Sequence, residues 1–174
     1  GFEVSSNTIM VQAVYENYKN NPQEFIDRIS NMGLDKPLGL PFQGEGKPIV
    51  HKPGEKGWNR NTLPWMAFGY SVAMTPMQTL TLYNAVANNG EMVKPQFVSE
   101  IKEWNKVIKT YNKEVINPKI CSDETIGKLK AVLQNVVKRG TGKDLYSKNF
   151  SMAGKTGTAQ ANYAKNGGNE KHYI

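Results

Sequence analysis

The 174-residue chain has one cysteine, Cys121, and two histidines, His51 and His172. A single cysteine excludes an internal disulfide and any cysteine-rich zinc site, and two histidines in loop-like contexts without companion ligands make no metal centre. Cys121 stands just before a predicted helix, where a small buried hydrophobe is the expected role, and both histidines are expected at the surface. Long apolar runs are missing too. The most hydrophobic stretch, 63–74, is short and contains Pro64, Gly69 and Ser71, so no signal peptide or membrane span is visible. Nor is charge concentrated anywhere. The net charge is +7, from 22 Lys and Arg against 15 Asp and Glu. The lysines are spread along the chain, which describes a solvated surface and argues against nucleic-acid binding. The chain does not open on methionine, and a strand is beginning at its last residues, so both ends are expected to be cuts in a longer protein.

What is present is globular and rich in turns: 39% hydrophobic residues, 21% charged, 16 Gly and 9 Pro. Helical spacing of Ile9, Met10, Ala13 and Val14 predicts a helix over 8–20, with Ser5-Ser6-Asn7 at or just before its start. Asn21 as cap and Pro22 at the first position predict a second helix, whose face is Phe25, Ile26, Ile29 and Met32 and which Gly33 stops. Residues 35–64 hold five Pro and five Gly and read as a long irregular connection. Thr75-Pro76-Met77-Gln78 is a capping box, predicting a helix with Leu80, Tyr83, Val86 and Ala87 on its face and a stop at Asn89-Gly90. The stretches 93–104 and 107–116 read as one hairpin turning near Asn105-Lys106, with Lys102, Lys106, Lys109 and Lys113 on a solvated edge. Ser122-Asp123-Glu124 opens another helix, with Ile126, Leu129, Val132, Leu133, Val136 and Val137 inward and Lys138-Arg139-Gly140 at its end. A strand is predicted over 151–162. Trp65, Phe68, Tyr70 and Met74 are expected in the core.

Gly154-Lys155-Thr156-Gly157-Thr158 places a cation, two hydroxyls and glycines within a short span, a set suited to holding an anionic group. A phosphate loop would need glycine at position 149, where Asn149 stands, and Phe150 and Met152 fill its interior with bulk. The other reading is the Lys-Thr-Gly box of active-site-serine acyltransferases, which accompanies Ser-x-x-Lys and Ser-x-Asn motifs. Ser5-Ser6-Asn7 supplies the Ser-x-Asn, about 150 residues upstream.

Further residues extend the match. Residues 65–70 (WMAFGY) running into 75–80 (TPMQTL), then 85–90 (AVANNG), 93–95 (VKP), Gly140-Thr141-Gly142 and 152–160 (MAGKTGTAQ) closely resemble class B penicillin-binding proteins, the monofunctional peptidoglycan D,D-transpeptidases. The resemblance covers nearly the whole chain.

It implies a truncated α+β fold of the penicillin-binding protein and serine β-lactamase type. An antiparallel sheet carries Lys155 and packs against helices, and Ser5 and Asn7 are presented across a cleft. Ser5 would relay a proton to the leaving group, Asn7 would bind a substrate amide, and Lys155 would hold positive potential and hydrogen-bond Ser5. Thr156, Gly157 and Thr158 would bind the substrate carboxylate, and the Thr158 N–H would form half an oxyanion hole. The implied substrates are stem peptides ending in D-Ala-D-Ala, and β-lactams would acylate the same serine. Other cell-wall synthesis proteins are implied partners, and no metal, cofactor or nucleic acid is implied. The parent would sit at the outer, periplasmic face of the cytoplasmic membrane, anchored by an N-terminal segment outside this chain.

Three departures from the pattern matter. Ser5, Ser30, Ser71, Ser122, Ser147 and Ser151 all lack lysine three residues on. The expectation is therefore that the chain is a partial domain, 1–174, holding no Ser-x-x-Lys, and that this motif lies upstream and the final strands downstream. The strand pairing with the Lys-Thr-Gly strand is expected to begin near Tyr173 and be missing. Ser71 stands where the family usually has glycine, which predicts that a positive φ is disfavoured there.

Overall fold

Hydroxyl and proline caps set most of the helix starts. The computed structural model describes the backbone of residues 1–161 and 170–173 and the side chains of residues 1–158. Of the sequence expectations, Asn162 and the His172 side chain lie outside the described residues. The helices are α1 (Asn7–Tyr18), α2 (Pro22–Asn31), α3 (Thr62–Met66), α4 (Pro76–Ala87) and α5 (Asp123–Arg139). The strands pair antiparallel: β1 (Ile49–Val50) with β2 (Val72–Ala73), β3 (Met92–Val93) with β6 (Val115–Asn117), β4 (Glu100–Glu103) with β5 (Lys106–Thr110), and β7 (Thr158–Ala161) with β8 (Glu170–Tyr173). Helices with antiparallel ladders make the expected α+β architecture, although the described sheet is four two-stranded pieces rather than one. The chain divides into two units, Met10–Gly127 and Gly1–Ile9 with the residues from Lys128 onward.

In the larger unit, the core gathers Leu34, Ala85 and Met92, with Ile29, Met32, Leu82, Ile116 and Ile120 against them. Asn21 stands at the start of α2 but caps it without its side chain. The Thr75 hydroxyl accepts from the Gln78 N–H at 3.1 Å, and the Gln78 side chain accepts from the Thr75 N–H at 2.9 Å, so the capping box forms as read. Its inward face differs from the expectation, because Gln78 also donates to the Lys36 carbonyl at 2.8 Å and is buried with Thr81, Ala85 and Val86, while Leu80 is 60% exposed. A polar side chain with all its bonds met can occupy a core position at little cost.

The connection over 35–64 is irregular apart from β1 and the first turn of α3, and the Glu45 carboxylate ties it by accepting from the Leu38 and Leu40 N–H groups. The expected aromatic core is instead a half-open cluster. Trp65 and Met74 are exposed, the Trp65 and Phe68 rings meet Tyr70 edge-on at 6.3 and 5.3 Å, and Leu63 and Met66 take the buried places. Cys121 and His51 are both half-buried rather than fully buried and fully exposed.

The single long hairpin resolves into two ladders. Trp104 adopts a φ of 54° at the turn of the β4–β5 pair, all of whose residues are exposed, while β3 pairs separately with β6. Lys102 binds Glu100 at 2.6 Å, but Lys113 lies beyond the hairpin and binds Glu91 at 2.7 Å.

Ser71 takes a φ of 58° despite the expectation against it. A left-handed serine is strained by about 1 kcal/mol, partly offset in glycine by greater unfolded-state entropy. Ser71→Gly is thus expected to raise unfolding stability by roughly 0.5 kcal/mol, read as a higher urea midpoint. At the boundary of the units, the Ser122 hydroxyl accepts from the Thr125 N–H at 3.2 Å and caps α5, whose last turn carries Lys138 and Arg139.

Candidate active site

In the smaller unit, Phe2–Val4 form a short 3-10 turn that ends on Ser5 in the left-handed region, φ 51° and ψ 42°. The Ser5 N–H donates to the Phe2 carbonyl at 3.0 Å, and the Ser6 hydroxyl accepts from the Ile9 N–H at 3.4 Å. The middle serine of Ser5-Ser6-Asn7 therefore caps α1, which frees Ser5 from the helix. Asn7 is the first helical residue and is exposed. No hydrogen bond joins Asn7 to Lys155 among the described residues.

Lys155 donates to the Ser5 hydroxyl across 150 positions of sequence. It also donates to the Thr156 carbonyl at 2.8 Å and lies 5.7 Å from the centre of the Phe2 ring. Burial lowers its pKa below the ordinary lysine value, because an ammonium deprived of water is disfavoured. Lys155 is not on a strand as expected. The chain is irregular over 151–157, tied by the Gly154 N–H donating to the Leu133 carbonyl at 3.2 Å, and β7 begins only at Thr158. The strand expected to be missing is present, with β8 setting Tyr173 opposite Thr158.

The Thr156 and Thr141 hydroxyls meet at 2.6 Å. One of them must donate, so a Thr156 hydroxyl that gives its proton to an anion can accept from Thr141 at the same time. Thr156 and Thr158 are exposed and Gly157 is half-buried. The Arg139 guanidinium grips the Glu3 carboxylate through two bonds of 2.9 and 3.0 Å. Arg139, with Asn135 contributing less, holds the Glu3 carboxyl below its ordinary range against the opposing effect of burial. Sequence reasoning missed Glu3, Arg139 and Thr141. Only the last had a signal, as the centre of Gly140-Thr141-Gly142.

Gly140 ends α5 without a left-handed backbone; closeness is what it supplies. A Cβ there would meet Val136 backbone atoms at 2.9 Å and collide with the Glu3 carbonyl. Gly140→Ala is expected to lower stability by roughly 1–3 kcal/mol through overpacking, measured by chemical denaturation.

One expectation from sequence is wrong. Ser99-Glu100-Ile101-Lys102 does have Ser-x-x-Lys spacing. It enters β4 of the exposed ladder, where the Ser99 carbonyl accepts from the Tyr111 N–H at 2.9 Å and Lys102 pairs with Glu100. Positions three apart share a helix face but lie on opposite faces of a strand, so this serine and lysine cannot work as a pair. The motif also follows Ser5-Ser6-Asn7 instead of preceding it.

A cavity of about 320 Å³ in this unit is lined by Val137, Lys138 and residues 146–152, and it includes none of Ser5, Lys155 or Thr156. Among the described residues no cluster of His, Cys, Asp or Glu could hold a metal ion, and no helix is long and apolar enough to cross a membrane. What the arrangement can do is move a proton between Ser5 and Lys155 and bind an anion beside them at the threonine hydroxyls.

Comparison with known proteins extends this picture. Residues 1–174 match the family model for the penicillin binding protein transpeptidase domain. Stage V sporulation protein D of Bacillus subtilis is 31% identical over 136 residues, which is 76% of this chain and 20% of that protein. A peptidoglycan D,D-transpeptidase FtsI homolog of Mesostigma viride is 27% identical over 120 residues, 62% of this chain and 20% of its own length. The crystal structure of penicillin binding protein 3 from Mycobacterium tuberculosis complexed with aztreonam aligns at a TM-score of 0.77 and 26% identity, over 91% of this chain and 36% of that one. The chain spans about a fifth of the length of the curated relatives it matches.

Proposed function

This chain belongs to the penicillin binding protein transpeptidase family, and from that membership we propose that it forms part of a peptidoglycan D,D-transpeptidase. The observation that carries the reading is the Lys155–Ser5 hydrogen bond beside the Thr141–Thr156 hydroxyl pair. In the reaction, a serine hydroxyl attacks the penultimate D-Ala carbonyl of a stem peptide, and the peptide C–N bond breaks as D-Ala leaves. An amine of a second stem peptide then attacks the ester and regenerates the serine.

Ser5 hands the proton to the departing amine, and Lys155 supports it by hydrogen bond and charge. Thr156 and Thr158 receive the terminal carboxylate, with Gly157 keeping the backbone open between them. The Thr158 N–H contributes to the oxyanion hole, and Asn7, exposed at the head of α1, meets the substrate amide. The attacking serine, on a helical Ser-x-x-Lys, comes from outside these 174 residues, so residues 1–174 are part of the domain and are inactive alone. The whole protein works at the outer face of the cytoplasmic membrane with other cell-wall synthesis proteins, and β-lactams acylate it.

Incubating the full-length protein with a D-Ala-D-Ala stem peptide and an acceptor amine tests this reading. Release of D-Ala with formation of a cross-linked dimer is expected. Rapid turnover of penicillin without any dimer would instead identify a hydrolase.

A further inference from the structure

Ser5 holds a left-handed backbone that serine does not favour, so its surroundings must hold it there. The local bonds of the 3-10 turn are not the only restraint. Glu3, two residues before Ser5, is fastened twice: its carbonyl accepts from the Thr141 N–H at 3.1 Å, and its carboxylate accepts the Arg139 fork. Thr141 meets Thr156, the Thr156 carbonyl accepts from Lys155, and Lys155 donates to Ser5. These contacts close a ring: Ser5, Glu3, Thr141, Thr156, Lys155 and back to Ser5. The fork is the one ionic clamp on that ring among the described residues. It joins the chain before the serine to the end of α5, across 136 positions of sequence.

We propose that Glu3 and Arg139 are positioning residues for acyl transfer, fixing where the Ser5 hydroxyl stands relative to Lys155 and Thr156. The inference rests on the transpeptidase reading above. A planar guanidinium with two parallel bonds to a carboxylate sets angle as well as distance, which one ammonium cannot do. Proton transfer is sensitive to ångström-scale misplacement, whereas carboxylate binding by threonine hydroxyls tolerates it better. The consequence is selective: loss of the clamp slows the acylation step more than it weakens the initial complex.

The test uses the full-length protein and a chromogenic cephalosporin. The noncovalent dissociation constant and the first-order acylation rate are measured separately, together with the final fraction acylated and the melting temperature. Glu3→Gln and Arg139→Gln are each expected to slow acylation about tenfold, with the dissociation constant within about twofold and complete final labelling. The double variant should be no slower than either single one, because the two residues act as a unit. Arg139→Lys, at a side chain 67% exposed, should fold normally and recover part of the rate, so it carries the test if Glu3→Gln does not fold. Glu24→Gln, which breaks the Arg28–Glu24 pair within α2, should leave the rate unchanged.

An unchanged acylation rate in fully labelled Glu3 and Arg139 variants, even with a lowered melting temperature, would overturn the proposal by reducing the clamp to a structural contact. Multiplying losses in the double variant would also overturn it. A wild-type protein that takes no cephalosporin at all refutes the transpeptidase reading instead.

Discussion

Lys155→Ala in the full-length protein is expected to slow acylation by penicillin about a thousandfold, the range seen when a positioned acid–base group is removed. The substitution deletes the donor to the Ser5 hydroxyl and the charge held beside Thr156. Lys155→Arg separates these roles. Arginine keeps the charge and so preserves carboxylate affinity, but it cannot lose its proton, and its planar head does not fit the site of a compact ammonium. Carboxylate-bearing ligands should therefore still bind the arginine variant while acylation stays slow. The pH dependence follows from the lowered lysine pKa. As pH rises through that value the ammonium is lost, so the wild-type acylation rate should fall on its alkaline side at a pH below the ordinary lysine range. The arginine variant should lack that fall. Stopped-flow acylation between neutral pH and pH 10 measures both outcomes.

Ser5→Ala is expected to slow acylation about a hundredfold, because Lys155 loses its acceptor and the leaving amine loses its proton donor. The left-handed backbone at this position offers an internal control. Ser5→Gly also removes the hydroxyl, yet it relieves the strain of φ 51°. If the hydroxyl matters, both variants lose the same factor in rate while the glycine variant is the more stable. A glycine variant near wild-type rate would show that the serine serves only the turn.

How far the sequence foretold this structure depends on the range of the interaction responsible. The Thr75–Gln78 box and the Ser122 cap were readable because donor and acceptor lie three residues apart. The face of α4 was misjudged because what buries Gln78 is the carbonyl of Lys36, 42 positions away. The β4–β5 turn uses a left-handed Trp104, a residue no turn pattern favours there, and the expected hairpin divides where residues 94–99 and 111–114 leave the strands. Within the site, the family resemblance already implied the Lys155–Ser5 hydrogen bond across 150 positions, whereas nothing pointed to Glu3–Arg139 across 136. Charged residues in ordinary sequence give no sign of such pairing. Lys155 was expected on a strand because its neighbours suit one, yet the Gly154 N–H is taken by the Leu133 carbonyl, and the strand starts three residues later. The Ser99–Lys102 spacing carries the converse lesson, since a motif defined by spacing has chemical meaning only on the element that brings its side chains to one face.

On the proposed transpeptidase reading, these residues supply the proton-relay and carboxylate-binding parts of a site whose attacking serine lies elsewhere in the protein. Peptide mapping by mass spectrometry of the full-length protein after penicillin labelling tests it most directly. One acylated serine is expected, within a helical Ser-x-x-Lys outside these 174 residues, with loss of that adduct in Lys155→Ala at short labelling times. An adduct on Ser5, on Ser99 or on any other residue of this chain would contradict it.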